Sequence, residues 1–167
     1  MATQRFIGLV AGKLKQIVAS VTGTADAIPA GDATGRLDVS WMPVGIGAEV
    51  TVVPSSENLT AGNFVNLWNN TGATNARKAD ATTNGKPAHG FVLANVTSPA
   101  NATVYVISQT NTALSALTPG SDYYLNTTAG GVTSTPPGAA GNLVQYLGTA
   151  QNATTLIFIS GVTIEVA

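Results

Sequence analysis

Asn101-Ala102-Thr103-Val104-Tyr105-Val106-Ile107-Ser108 returns about fifty residues later as Asn152-Ala153-Thr154-Thr155-Leu156-Ile157-Phe158-Ile159-Ser160. Both stretches open on Asn-Ala-Thr and continue in β-branched and aromatic residues, the types that fit a pleated, half-buried strand. A second pair precedes the first. Leu59-Thr60-Ala61-Gly62 followed by Phe64-Val65-Asn66-Leu67-Trp68 recurs as Leu117-Thr118-Pro119-Gly120 followed by Tyr123-Tyr124-Leu125. Order and approximate spacing match in both halves. The physical unit is a glycine turn that launches a strand, a wandering loop, then a paired strand. Two such units can pack face to face and bury what neither buries alone. Pseudo-repeated units at about 48–112 and 113–167 are therefore expected.

Working outward, strand signals are regular from Glu49 onward. They fall at Glu49 to Val53, Asn63 to Trp68, Ala73 to Lys78, Gly90 to Val96, Thr103 to Ile107, Asp122 to Asn126, Gly131 to Ser134, Leu143 to Thr149, Thr155 to Ile159 and Val162 to Val166. Turn residues punctuate them about every ten positions. That spacing predicts an all-β fold, an antiparallel β-sandwich or barrel over residues 48–167. Few charges guard the strand edges, which are a liability that pairing between subunits would relieve.

Residues 1–47 read differently, as an N-terminal extended arm that opens on a short hairpin. Phe6-Ile7-Gly8-Leu9-Val10 and Lys13-Leu14-Lys15-Gln16-Ile17-Val18 flank Ala11-Gly12, a hairpin pattern. A helix would place Phe6, Val10, Leu14, Ile17 and Val21 on one face. The hairpin is preferred, because Gly8 and Gly12 would each cost about 1 kcal/mol inside a helix. Thr22 to Gly47 has no sustained period, and Pro29 and Pro43 bias their neighbours to extended backbone. Such a segment needs a partner to order it.

Composition narrows the function. Charged residues are 9% of the chain and the net charge is −1, against roughly 25% charged in an ordinary domain. The seven basic residues are spread out, and only Arg77-Lys78 are adjacent, beside Asp80. That is poor material for neutralising phosphates, so no nucleic-acid partner is expected. There is no cysteine. Met1 to Leu14 lacks the apolar core of a signal peptide. No run approaches the ~20 apolar residues that cross a bilayer, so no membrane partner is expected.

Reactive groups are sparse. His89, in Pro87-Ala88-His89-Gly90, is the only imidazole, and any Ser-His-acid triad would have to use it. Zinc would lack thiolates and a second histidine. Asp26, Asp32 and Asp38 recur at six-residue spacing but do not match a calcium loop. Glu49 and Glu57 flank a Pro-Ser-Ser turn, with no reason for a raised pKa. Phosphate-loop and nucleophile-elbow motifs are absent. No catalytic residue, metal site or cofactor is expected. A carbohydrate-binding module would need exposed aromatics instead, and Trp41, Trp68, Tyr105, Tyr123, Tyr124 and Tyr146 are the candidates. Their strand contexts favour core packing.

The stretch Gly35-Arg36-Leu37-Asp38-Val39-Ser40-Trp41-Met42-Pro43-Val44-Gly45-Ile46-Gly47 resembles a segment that precedes a small β domain in bacteriophage virion structural proteins. Leu59 to Trp68, Arg77 to Ala81, Gly85 to Val92, Leu117 to Leu125 and Gly130 to Pro137 are similar to the same proteins, so the resemblance covers most of the chain. It implies a head decoration (cement) protein, a head fibre or a tail-fibre part, and commonly a homotrimer. A capsid decoration protein would bind the major capsid protein on the outer surface of the virion and stabilise the head. The alternative is a fibre or baseplate component that touches a host glycan. On this reading Phe6, Ile7, Leu14 and Ile17 of the hairpin dock on the shell or on a neighbouring protomer, together with Arg36, Leu37, Asp38, Trp41, Met42 and Pro43. Trp41 and Met42 would be apolar anchors, with Arg36 and Asp38 setting register. The competing role for Trp41 is to cap the base of the β domain.

Overall fold

In the computed structural model the described residues are 5–10, 13–23, 27–33, 35–38, 41, 49–106 and 108–167. Their regular elements are strands, with no α-helix among them. The chain divides into two compact units, Met1–Gly47 and Ala48–Ala167.

The first unit holds β1 (Arg5–Val10), β2 (Lys13–Ser20) and β3 (Ile28–Pro29). β1 and β2 run antiparallel in the register Phe6↔Ile17 and Val10↔Lys13, which is the hairpin and not the helix. β3 adds in parallel, Ala19 opposite Ile28. Gly8 serves the strand: a Cβ there would lie 2.2 Å from Ile17 Cδ1, so the isoleucine packs across a position without a side chain.

The second unit is an all-β sandwich. One layer contains β4 (Val50–Pro54), β5 (Phe64–Asn70), β6 (Ala73–Lys78), β7 (Gly90–Phe91) and β8 (Asn101–Tyr105), in the order β4-β8-β7-β5-β6. The other contains β9 (Thr110–Asn111), β10 (Asp122–Leu125), β11 (Val132–Thr133), β12 (Leu143–Asn152) and β13 (Thr155–Phe158), in the order β11-β10-β12-β13-β9. β14 (Thr163–Glu165) also pairs with β12.

Between the layers lies the main core. Phe64 and Phe91 from the first sheet meet Leu125, Leu143, Leu147, Leu156 and Phe158 from the second. Phe64, Phe91 and Phe158 form a triangle with centroids 5.4 to 5.9 Å apart in tilted and edge-on arrangements. Those are the geometries aromatic quadrupoles favour. Strand alternation sends the neighbouring side chains the other way. Val65, Ala76, Ala102 and Val104 therefore build a second core with Leu59 and Val92 on the opposite face of the first sheet. That face is enclosed because the sheet rolls until its two edges meet. Ser55, just after β4, bridges Ala76 of β6, and Ser56 N–H donates to Ala76 O at 2.9 Å. Glu57 Oε1 reinforces the seam by accepting from Lys78 N–H at 2.6 Å.

The edge liability is thus met within the unit. The first sheet joins its own edges, and the second ends in two-residue strands, β11 and β9, too short to template another chain. In the first unit β1, six residues long, is an edge strand among the described residues, so the edge argument for pairing between subunits rests on that unit.

The two glycine turns that launch β5 and β10 are the same structure. Asn63 N–H bonds Thr60 O at 2.9 Å, and Ser121 N–H bonds Thr118 O at 3.1 Å. Gly62 and Gly120 hold φ of 89° and 77° at the third turn position, where glycine carries no steric cost. One expected strand is cut short: of Gly90 to Val96 only Gly90 and Phe91 pair as β7. Val92 N–H still bonds Asn63 O and Val96 bridges Leu59, both in the Phe64↔Phe91 register, while pairing with β8 ends at Phe91. Ile107, the last residue of another expected strand, lies outside the described residues.

Candidate functional site

The residues expected to dock are spread over the first unit. Alternation on the β1–β2 hairpin puts Ile7 and Leu14 on one face of the sheet, with exposures of 79% and 77%. Ile17 is half-buried on the other face, opposite Phe6 in the backbone register. Leu37 is exposed. Arg36 and Asp32 close a short loop: Asp32 N–H donates to Arg36 O at 2.8 Å, and Arg36 N–H donates to Asp32 Oδ1 at 3.0 Å. Asp38 O accepts from Trp41 N–H at 3.1 Å, and Trp41 Nε1–H donates to Val21 O at 3.0 Å. The half-buried indole is therefore tied to the end of the hairpin within its own unit. Met42 and Pro43 lie outside the described residues. The structure places Ile7 and Leu14 on one face of the hairpin, with Gln16 directly opposite Ile7; Leu37 and Trp41 belong to the following segment.

The second unit's polar side chains are used mainly as internal ties. His89 is partly exposed, and its Nδ1 accepts from Leu67 N–H at 2.9 Å. Asn66 Nδ2 lies 3.4 Å from the same nitrogen and donates to Pro87 O at 2.8 Å. Burial lowers the His89 pKa below the usual 6.5. With Nδ1 accepting, the neutral ring carries its proton on Nε2. Arg77 stacks on Trp68 with 4.6 Å from Cζ to the ring centroid, while its Nε donates to Asn66 Oδ1 and its Nη2 to Gly85 O, both at 2.9 Å. These partners are amides and carbonyls, which position backbone and do not relay protons.

Among the described residues no three of His, Asp and Glu converge as metal ligands, and no helix is long and apolar enough to cross a membrane. The aromatic candidates divide. Tyr123 is buried and its hydroxyl accepts from Thr118 N–H at 2.9 Å. Tyr105 stacks on Phe91 at 5.5 Å. Tyr124 and Tyr146 meet edge-on at 5.8 Å in half-buried positions, and the Tyr146 hydroxyl joins Thr149 and Asp122.

The His89 geometry carries a pH prediction. A lowered native pKa means the unfolded chain takes up the proton first, so stability falls as pH drops below about 6.5 and levels off under the native value. Asparagine at this position can present Oδ1 where Nδ1 stood and does not titrate. Denaturant midpoints from about pH 8 to about pH 5 should show the His89→Asn variant losing less stability on acidification than the wild type. Parallel profiles would refute the assignment.

Comparison with protein families, with curated proteins and with solved structures finds no match.

Proposed function

We propose that this chain is a non-enzymatic structural protein of a bacteriophage particle that decorates the capsid. It binds the major capsid protein on the outer surface of the virion and stabilises the head. One observation carries the reading: a unit of 47 residues presents Ile7 and Leu14 on one open sheet face, each more than three-quarters exposed. A three-stranded sheet this small cannot bury its own apolar side chains. Clustered exposed apolar residues mark an association surface. The sequence resemblance to virion structural proteins supports the capsid as the partner. It is also the support for a homotrimer, in which three weak contacts hold tightly through effective concentration. The β-sandwich supplies the outward body, and Glu57, Arg77, His89 and Asp122 are engaged there in structural hydrogen bonds.

Occupancy on isolated capsids tests the proposal. The double variant Ile7→Ser, Leu14→Ser should reduce occupancy by about tenfold or more, as expected for central apolar anchors. Deleting residues 1–40 should abolish it. Unchanged occupancy in both would overturn the docking role.

A further inference from the structure

A groove opens where the expected strand Gly90 to Val96 parts from β8 after Phe91. It has a volume of about 350 Å³ and lies between β8 and residues 92–96. That is the lower end of the roughly 300–1,000 Å³ of small-molecule sites. We infer that this groove binds an uncharged saccharide.

The lining chemistry selects the ligand class. Asn101, Thr103 and Tyr105 occupy alternate positions of β8 and all line the groove. They form a row of amide, hydroxyl and phenol about 7 Å apart. None of the three side chains has a hydrogen-bond partner among the described residues. Asn95, on the facing wall, is anchored because its Oδ1 accepts from Ala61 N–H at 2.9 Å, which leaves its Nδ2 hydrogens to donate. Hydroxyls and amides both donate and accept, and so match a ligand bearing several hydroxyls. No charged side chain lines the groove, so an ionic ligand would lose hydration without compensation. A purely apolar ligand would strand the polar row in the same way.

The backbone adds to the match. Val106 N–H bonds Glu49 O, and Ser55 N–H bonds Ala100 O. Antiparallel alternation then directs the peptide groups of Ala102 and Val104 at β4 and those of Asn101 and Thr103 towards the groove. This open run is too short for an added strand. A turn closes it at Thr97–Ala100, and Phe91 pairs with Tyr105 at its other end. Across β8, Val50 and Val52 are 45% and 58% exposed and stand directly opposite Tyr105 and Thr103. They form an apolar rail beside the polar row, the pairing that a sugar ring needs for its C–H face and its hydroxyl edge. Stacking on Phe91 holds Tyr105 in place before any ligand arrives.

The test screens the labelled full chain on a printed array of neutral and acidic oligosaccharides. An NMR titration with the strongest-binding glycan follows. The expected result is binding to neutral glycans, with saturable amide shifts confined to residues 92–96 and 101–105. Thr103→Val and Asn101→Ala, both at exposed positions, should each weaken binding about threefold to tenfold without changing the denaturation midpoint. No binding on the array, binding confined to acidic glycans, shifts elsewhere, or affinity unchanged in both variants would each overturn the proposal.

Discussion

Gly148→Ala should remove roughly 3 kcal/mol or more of stability, while Gly120→Ala should remove only about 1 kcal/mol. Both glycines hold positive φ, 143° at Gly148 and 77° at Gly120. The difference is what surrounds them. A Cβ at Gly120 meets nothing within 4 Å, whereas one at Gly148 would lie 1.8 Å from Ile157 O in the paired strand β13. Backbone in a hydrogen-bonded ladder cannot move aside as a side-chain tip can. Relief would require breaking the β12–β13 pairing that seats Leu156 and Phe158 in the core. Against a typical total of about 5–15 kcal/mol, the loss should appear as a large drop in urea midpoint at unchanged slope, or as failure to accumulate folded protein. Equal losses in the two variants would show that φ alone sets the cost.

Gly148 also explains where strand alternation in the sequence misleads. Tyr123 pairs with Gly148 and Tyr124 with Tyr146, so Leu147 is an extra residue at a bulge. Before it the inward residues of β12 are Leu143, Gln145 and Leu147; after it they are Gly148 and Ala150. Strict period-two reading cannot keep both sets inside. The expected strand ended at Thr149, while β12 runs on to Asn152.

Elsewhere the local pattern was sufficient. Ala73–Lys78 has the same bounds in sequence and structure, because a two-residue Thr71-Gly72 turn closes its register against β5. The hairpin over residues 5–20 was legible from Ala11-Gly12 between two apolar runs. The long-range partners were not. Nothing local to Gly90–Val96 says that pairing with β8 will end at Phe91 while Val92 and Val96 stay beside Asn63 and Leu59. The groove exists only because of that parting, so its residues read as two ordinary strands. β9, two residues that pair with β13, is too short to give a periodic signal. Of the docking candidates, Ile7 and Leu14 were legible as apolar strand residues, but their shared face and high exposure depend on a register that sequence alone leaves open.

Gln145 illustrates a tie that no periodicity reveals, and it carries the second large prediction. Its side chain is 2% exposed on the inward face of β12, yet it is polar. The amide acts as a piece of backbone: Oε1 accepts from Ala88 N–H at 2.7 Å, and Nε2 donates to Ala88 O at 2.9 Å. Ala88 is fully buried, so the glutamine satisfies both peptide groups of a residue that has left strand pairing. Gln145→Leu should cost about 2–5 kcal/mol, since each stranded buried group costs roughly 1–3 kcal/mol and the added burial of leucine offsets only part. Gln145→Glu separates hydrogen bonding from shape. An ionised carboxylate can accept from Ala88 N–H but would turn its other oxygen on Ala88 O, whereas the protonated acid restores a donor. Burial and that repulsion raise the native pKa of the introduced acid above its unfolded value of about 4.3. The native protonated form is then fully effective below about pH 4.3. Its advantage is lost as pH rises from there to the native pKa and stays constant beyond it. Measured as a difference from wild type at each pH, which cancels the titration of His89 and the other carboxylates, the glutamate variant should approach wild-type stability in acid. The leucine variant should keep the same deficit throughout. A glutamate deficit that does not change with pH would mean that Gln145 contributes through volume and not through its paired hydrogen bonds to Ala88.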